Sequence, residues 1–203
     1  MDRNTDLKSP TELYDLIKTR LKNHQQQTYQ YADIAHREAA VLIPLFYRDQ
    51  SPNLLFTKRT EIVEHHKGQI SFPGGVRDKN DHDLQATALR ETREEVGIEE
   101  QDITILGPTD KFLTNTNFMV TPYVGYFSYP YPYRVNSAEI SQLIEVPLQH
   151  LLQPEIFEQK KWERNGILWD VHFYYYDQEV IWGVTGFLLS NFLSIVFDLK
   201  RMP

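Results

Sequence analysis

Leu13, Ile17 and Leu21 recur at helical spacing behind Ser9-Pro10-Thr11-Glu12, a capping box with proline in the first helical position. This pattern predicts a first helix over residues 10–22. The polar, glutamine-rich stretch over residues 24–30 then reads as a linker. Residues 39–47 and 54–59 are apolar runs that read as strands, with Asp49-Gln50-Ser51-Pro52-Asn53 as the turn between them. Further along, residues 103–106 and 123–127 predict strands, 147–152 a short helix, 169–177 an aromatic strand and 185–197 a final helix. Each proline in Tyr129-Pro130-Tyr131-Pro132-Tyr133 removes a ladder donor, so that segment is a loop or an edge. Periodicity by itself therefore gives a mixed α and β chain.

Residues 180–197 are apolar enough to raise the question of a membrane span, which needs about 20 such residues. Gly183, Gly186, Ser190, Asn191 and Ser194 interrupt the run, so a buried core helix is expected, able to extend to a homodimer contact. With 203 residues and 41% hydrophobic content the chain can bury a sizeable core. Its formal charge of −7 argues against a general nucleic-acid binder, whose affinity comes from lysine and arginine. The absence of cysteine removes disulfides, a thiol nucleophile and a Cys/His zinc site. The first six residues lack the apolar core of a signal peptide, so a cytoplasmic location is expected.

The chemistry concentrates in Phe72-Pro73-Gly74-Gly75 and in Arg90-Glu91-Thr92-Arg93-Glu94-Glu95-Val96-Gly97-Ile98. On a helix, Glu91, Glu94 and Glu95 fall within an arc of roughly 100°. Like charges four residues apart cost an isolated helix about 0.2 to 0.5 kcal/mol, so the set calls for a cation. Mg²⁺ prefers such carboxylate oxygens and keeps waters that a phosphate can displace. Arg90 can pair with one glutamate and fix its rotamer. Gly97 is placed to end the helix in a left-handed conformation, and Asp81 or Asp83 to cap its start. Paired glycines at 74 and 75 let the backbone approach a ligand closely. A plain solvated charged face is the alternative reading of the glutamate string alone.

Residues 75–98 resemble the Nudix box, G-x5-E-x7-R-E-U-x-E-E-x-G-U with U aliphatic. Arg90, Glu91, Glu94, Glu95, Gly97 and Ile98 match, with Thr92 in the aliphatic place. Asp81 stands where glutamate is expected, and eight residues rather than seven separate it from Arg90. That variant, with Asp78 and Asp81 after the glycines, resembles the coenzyme A pyrophosphatase branch of the family. The signature that precedes the box in that branch is matched in spacing by Leu55-Phe56-Thr57-Lys58-Arg59-Thr60, Gly68 and Phe72-Pro73-Gly74-Gly75. Thr60 replaces a small residue there, and Glu64 replaces an arginine, reversing a local charge beside His65, His66 and Lys67.

The resemblance implies an α/β (α+β mixed sheet) Nudix sandwich, α/β/α, over residues 36–203, preceded by an N-terminal helix and linker over residues 1–35. It implies a pyrophosphohydrolase using Mg²⁺ or Mn²⁺ on a small nucleotide-derived substrate. Glu91 and Glu95 are the implied metal ligands, and Glu94 is a further ligand or an outer carboxylate. Arg90 orients them. The general base comes either from the helix, as Glu94, or from a distant loop, as Glu139. Arg59, Lys67, Gly74 and Gly75 are the implied substrate-binding positions. Coenzyme A is the first substrate in view, another nucleoside diphosphate derivative the second, and a silent nucleotide-binding domain the third. Tyr123, Tyr126, Phe127, Tyr131 and Tyr133 are aromatic enough to stack on adenine, with packing as their default role.

Overall fold

The computed structural model of the protein describes residues 9–26, 35–61, 68–164 and 166–201. Helix α1 (Pro10–Asn23) begins as its capping box dictates, with the Ser9 hydroxyl accepting from the Glu12 N–H. Strands β1 (Arg37–Arg48) and β2 (Ser51–Arg59) follow. The turn joining them is shorter than the sequence suggests. Asp49 and Gln50 both take positive φ, 50° and 63°, and so close a two-residue hairpin with Arg48 opposite Ser51. Ser51, Pro52 and Asn53 are therefore already in the strand.

β1 and β2 pair only from Leu45↔Leu54 to Arg48↔Ser51 and then diverge. Two short strands fill the wedge. β3 (Ile70–Ser71) pairs with β2, and β4 (Gly74–Val76) pairs with β1 through Ala40↔Gly75. This splay puts the Pro-Gly-Gly turn inside the sheet rather than at its rim. Helix α2 (Leu84–Val96) comes next, then β5 (Thr104–Pro108), β6 (Phe112–Leu113) and β7 (Phe118–Tyr126). β7 runs parallel to β1 from Arg37↔Phe118 to Leu45↔Tyr126, and β8 (Ile140–Pro147) pairs antiparallel with β2.

β1 is buried on both faces, so its alternate side chains feed two cores. Ile43 and Leu45 face the core formed with Leu13, Ile17 and Leu21 of α1 and with Leu188, Leu189, Phe192 and Leu193 of α4 (Gly183–Phe197). Ala40, Leu42 and Phe46 face Ala88 and Val96 of α2, with Phe127. The result is the expected α/β/α sandwich. α1 is integral to it: Ile17 is fully buried, and Tyr14 stacks on Tyr126 at 3.7 Å.

α3 (Leu148–Leu151) leads to a second antiparallel sheet of β9 (Phe157–Arg164), β10 (Ile167–Tyr176) and β11 (Glu179–Trp182), in the order β11-β10-β9. β10 was legible from its aromatics, whereas the polar run of β9 shows little alternation. One face of this sheet packs on α4, where the buried His172 Nδ1 and the Tyr174 hydroxyl each lie 2.7 Å from the Ser190 hydroxyl. α4 is 15 residues long, and among the described residues no helix is long and apolar enough to cross a membrane.

Candidate functional site

α2 starts at Asp83, whose carboxylate accepts from the Ala86 N–H, and ends at Gly97 with φ 78°. Of the two aspartates able to cap it, Asp83 does so. A Cβ at position 97 would lie 2.7 Å from the Arg134 backbone nitrogen, so the left-handed cap also makes room for another segment. Thr92 and Val96 are buried, as the helical arc requires of residues turned away from the glutamates.

Glu91 and Glu95 lie one helical turn apart and face the wedge between β1 and β2. The Glu91 carboxylate lies against Gly75, where an added Cβ would sit 2.5 Å from Cδ. The glycine is what admits the carboxylate. A Cβ on Gly74 would strike the Ala40 carbonyl and come within 2.6 Å of Val41 Cα, so both glycines are fixed by close approach rather than by turn geometry alone.

Glu95 is only 4% exposed. Its Oε1 lies 3.6 Å from the Arg59 guanidinium, and among the described residues its buried Oε2 has no hydrogen-bond partner. Burial pushes its carboxyl up to about 8, and the charges of Glu91 and Glu139 add to that rise; Arg59 and the Gly74 N–H oppose it. Glu91 is raised too, first by burial and then by Glu94 and Glu139, against the pull of Arg90.

Arg90 clasps this group from one side. Its guanidinium donates to both carboxylate oxygens of Asp81, to Glu94 at 3.0 Å and to the Val76 carbonyl at 3.1 Å, and it lies 2.8 Å from Glu91. Asp81 is 8% exposed and also accepts from the Thr87 hydroxyl and the Asp78 N–H. The Arg90 hydrogen bond holds it well below the usual carboxylate range. This anchor was not assigned from sequence; the signal was Asp81 standing where the box has a glutamate.

Glu94 is turned outward, half exposed, with Arg90 and Arg93 as its partners. Glu139 reaches the group from the loop after β7. The Asn136 N–H donates to the Glu95 carbonyl and the Arg134 N–H to that of Val96, so the loop is stitched to the last turn of α2. The Asn136 side chain approaches Glu139 Oε1 at 3.4 Å, and the Thr60 N–H donates to the Glu139 carbonyl. Glu64 and Lys67 lie outside the described residues.

Two further cations near the motifs have protein partners: Lys58 pairs with Glu179 at 2.6 Å and Arg77 with Glu38 at 2.7 Å. Glu145 pairs with Arg48, and His82 is exposed beside Asp83. The tyrosines near the site mostly pack. Phe127 is buried, with the Tyr131 and Tyr133 rings edge-on to it, and Tyr126 is covered by Tyr14.

The buried orphan oxygen of Glu95, the neighbouring Glu91 and the all-oxygen donor set suit a hard divalent cation. Among the described residues no three acidic or imidazole groups are drawn together into a cage that could hold an ion.

The sequence profile of the NUDIX domain matches residues 36–167. A protein of Photorhabdus laumondii described as an uncharacterized Nudix hydrolase, NudL, is 38% identical over 156 residues, covering 77% of this chain and 83% of its own. A Yersinia pestis protein of the same description is 36% identical over 161 residues, covering 79% and 80%. Among solved structures, an Ap4A hydrolase binary complex from C. elegans aligns over 56% of this chain and 81% of its own, at 19% identity and a TM-score of 0.48.

Proposed function

The chain belongs to the Nudix family of hydrolases, and on that premise we propose that it is a Mg²⁺- or Mn²⁺-dependent pyrophosphohydrolase that cleaves coenzyme A or its derivatives to 3′,5′-ADP and 4′-phosphopantetheine. The observation that carries the metal-dependent chemistry is the buried Oε2 of Glu95, without a partner among the described residues, beside Glu91 at the Pro-Gly-Gly turn. A bound divalent ion would supply charge neutralisation at the diphosphate oxygens.

Glu91 and Glu95 hold the ion in this reading, with Glu94 completing the set or acting just outside it. Arg90, fixed by Asp81, keeps Glu91 and Glu94 oriented. Glu139, or Glu94 from the helix, takes the proton from the attacking water. Gly74 and Gly75, packed against β1 and the Glu91 carboxylate, border the diphosphate as the resemblance implies. Arg59 offsets the charge of Glu95 and borders the substrate, a role that the resemblance gives to Lys67 as well.

Support for coenzyme A comes from the signature before the box. Its residues form β2 and the β3–β4 wedge, and bring Arg59 to Glu95. Glu64 favours the second reading, another nucleoside diphosphate derivative, because it reverses a charge in that signature.

The deciding experiment is a panel of coenzyme A, dephospho-coenzyme A, ADP-ribose and NADH under Mg²⁺ and Mn²⁺ titration. Highest kcat/KM on coenzyme A is expected. If dephospho-coenzyme A is turned over no worse than coenzyme A, recognition of the 3′-phosphate is ruled out. Glu91→Gln and Glu95→Gln should abolish turnover with the far-UV spectrum unchanged; full activity in both would remove the metal seat.

A further inference from the structure

All three tryptophans of the chain, Trp162, Trp169 and Trp182, lie on one face of the small β9–β11 sheet. The register settles this. Trp169 is opposite Trp162 and Phe173 is opposite Trp182, two-residue steps that share a face, while His172 and Tyr174 point the other way into the core. Trp162 lies 5.5 Å from Trp182 and 5.7 Å from Phe173, and the Lys160 ammonium sits 5.1 Å from the Phe173 ring centre. The aromatics nevertheless stay in water: Trp162 is 46%, Trp169 43% and Tyr175 38% exposed.

Aromatic side chains span roughly 200 Å² each, so these three alone leave about 250 Å² uncovered. That is about a third of the roughly 800 Å² that a standard interface takes from each partner, and it is made of the residue types that dominate binding energy. We propose that this face docks a second copy of the chain in a reversible two-fold dimer.

Charge argues for a second copy. The molecule carries a formal −7 and so repels itself over most approaches. On this face the charged side chains described are Glu158 and Lys160, which pair at 2.8 Å and cancel. A two-fold axis lying across the strands reverses their direction, so the Glu158–Lys160 pair then meets its opposite order on the other copy and the patch is complementary to itself. A surface built to recruit nucleic acid or an anionic membrane would carry net positive charge instead.

The tryptophans also supply the readout, since the chain has none elsewhere. Sedimentation velocity of the full chain, from low micromolar to several hundred micromolar, should show monomer passing to dimer. The tryptophan emission maximum should shift to the blue over the same range. Trp169→Glu should remain monomeric through that range, with turnover per chain unchanged. Trp162→Ser, checked by far-UV circular dichroism, serves if Trp169→Glu misfolds. Wild-type protein that stays monomeric throughout, or a folded Trp169→Glu or Trp162→Ser that dimerises equally well, overturns the proposal.

Discussion

Asp81 grips Arg90 through two parallel contacts, Nε to Oδ1 at 2.9 Å and Nη2 to Oδ2 at 3.0 Å, from a carboxylate that is almost wholly buried. The same guanidinium reaches Glu91 and Glu94, so a residue nine positions before the helix arginine governs where two candidate metal-site carboxylates stand.

Asp81→Asn should cost about 1.5 to 3 kcal/mol, the worth of hydrogen bonds to a charged group. The Asp81 carboxyl is depressed in the folded state, so its contribution is present above the ordinary aspartate pKa of about 3.9 and is lost as pH falls below it. Denaturant unfolding at neutral pH and at pH about 3 should therefore show the gap between wild type and variant closing in acid. An equal gap at both would refute the assignment.

Gly75→Ala should leave the fold intact and impair the site. The new methyl falls 2.5 Å from the Glu91 carboxyl carbon, and the yielding atoms are the end of a flexible side chain. Weaker Mn²⁺ activation with an unchanged circular dichroism spectrum is the expected outcome. Unaltered metal affinity would show that Glu91 need not lie against the turn.

His172 ties stability to pH in the neutral range. Burial lowers its imidazole, with Asp170 opposing the fall and Arg201 adding to it. The folded state thus keeps the ring neutral, and its contribution is complete above the unfolded value of about 6.5 and is lost as pH falls through it. Thermal midpoints at pH about 7.5 and 5.5 should differ less in His172→Gln than in wild type. The variant should be less stable at the higher pH, because the Ser190 contact is disturbed.

Ile17→Ala tests whether α1 belongs to the core. A fully buried aliphatic side chain cut to alanine costs about 2 to 5 kcal/mol. A loss under 1 kcal/mol, seen by chemical denaturation, would make the helix an appendage.

Much of this was legible in the sequence because the signals were local. The Ser9 box and the Leu13, Ile17 and Leu21 spacing give α1 to within a residue, and the spacing of Glu91, Glu95 and Gly97 gives α2 its glutamate face and its stop. What could not be read turns on backbone conformation and on solvent exposure, which the residue pattern does not carry. The left-handed pair Asp49 and Gln50 makes a tighter hairpin than the five-residue turn signal suggests. β9 has a strand's hydrogen bonds without a strand's pattern, because its Lys and Glu side chains face water along an edge. Likewise Glu94 belongs to the glutamate arc by helical geometry, yet Arg90 and solvent hold it outward.

The hydrogen bonds from Arg134 and Asn136 to the Val96 and Glu95 carbonyls have a consequence for how this enzyme can vary. A helix end that would otherwise spend its free carbonyls on water uses them as a latch for the chain bearing Glu139. Glu95 and Glu139 are thereby geared to one another through the main chain, whatever side chains lie between. A lengthened tyrosine-proline loop would slip that gear and move the candidate base and the candidate ligand out of step. The segment can therefore exchange its aromatics more freely than its residue count.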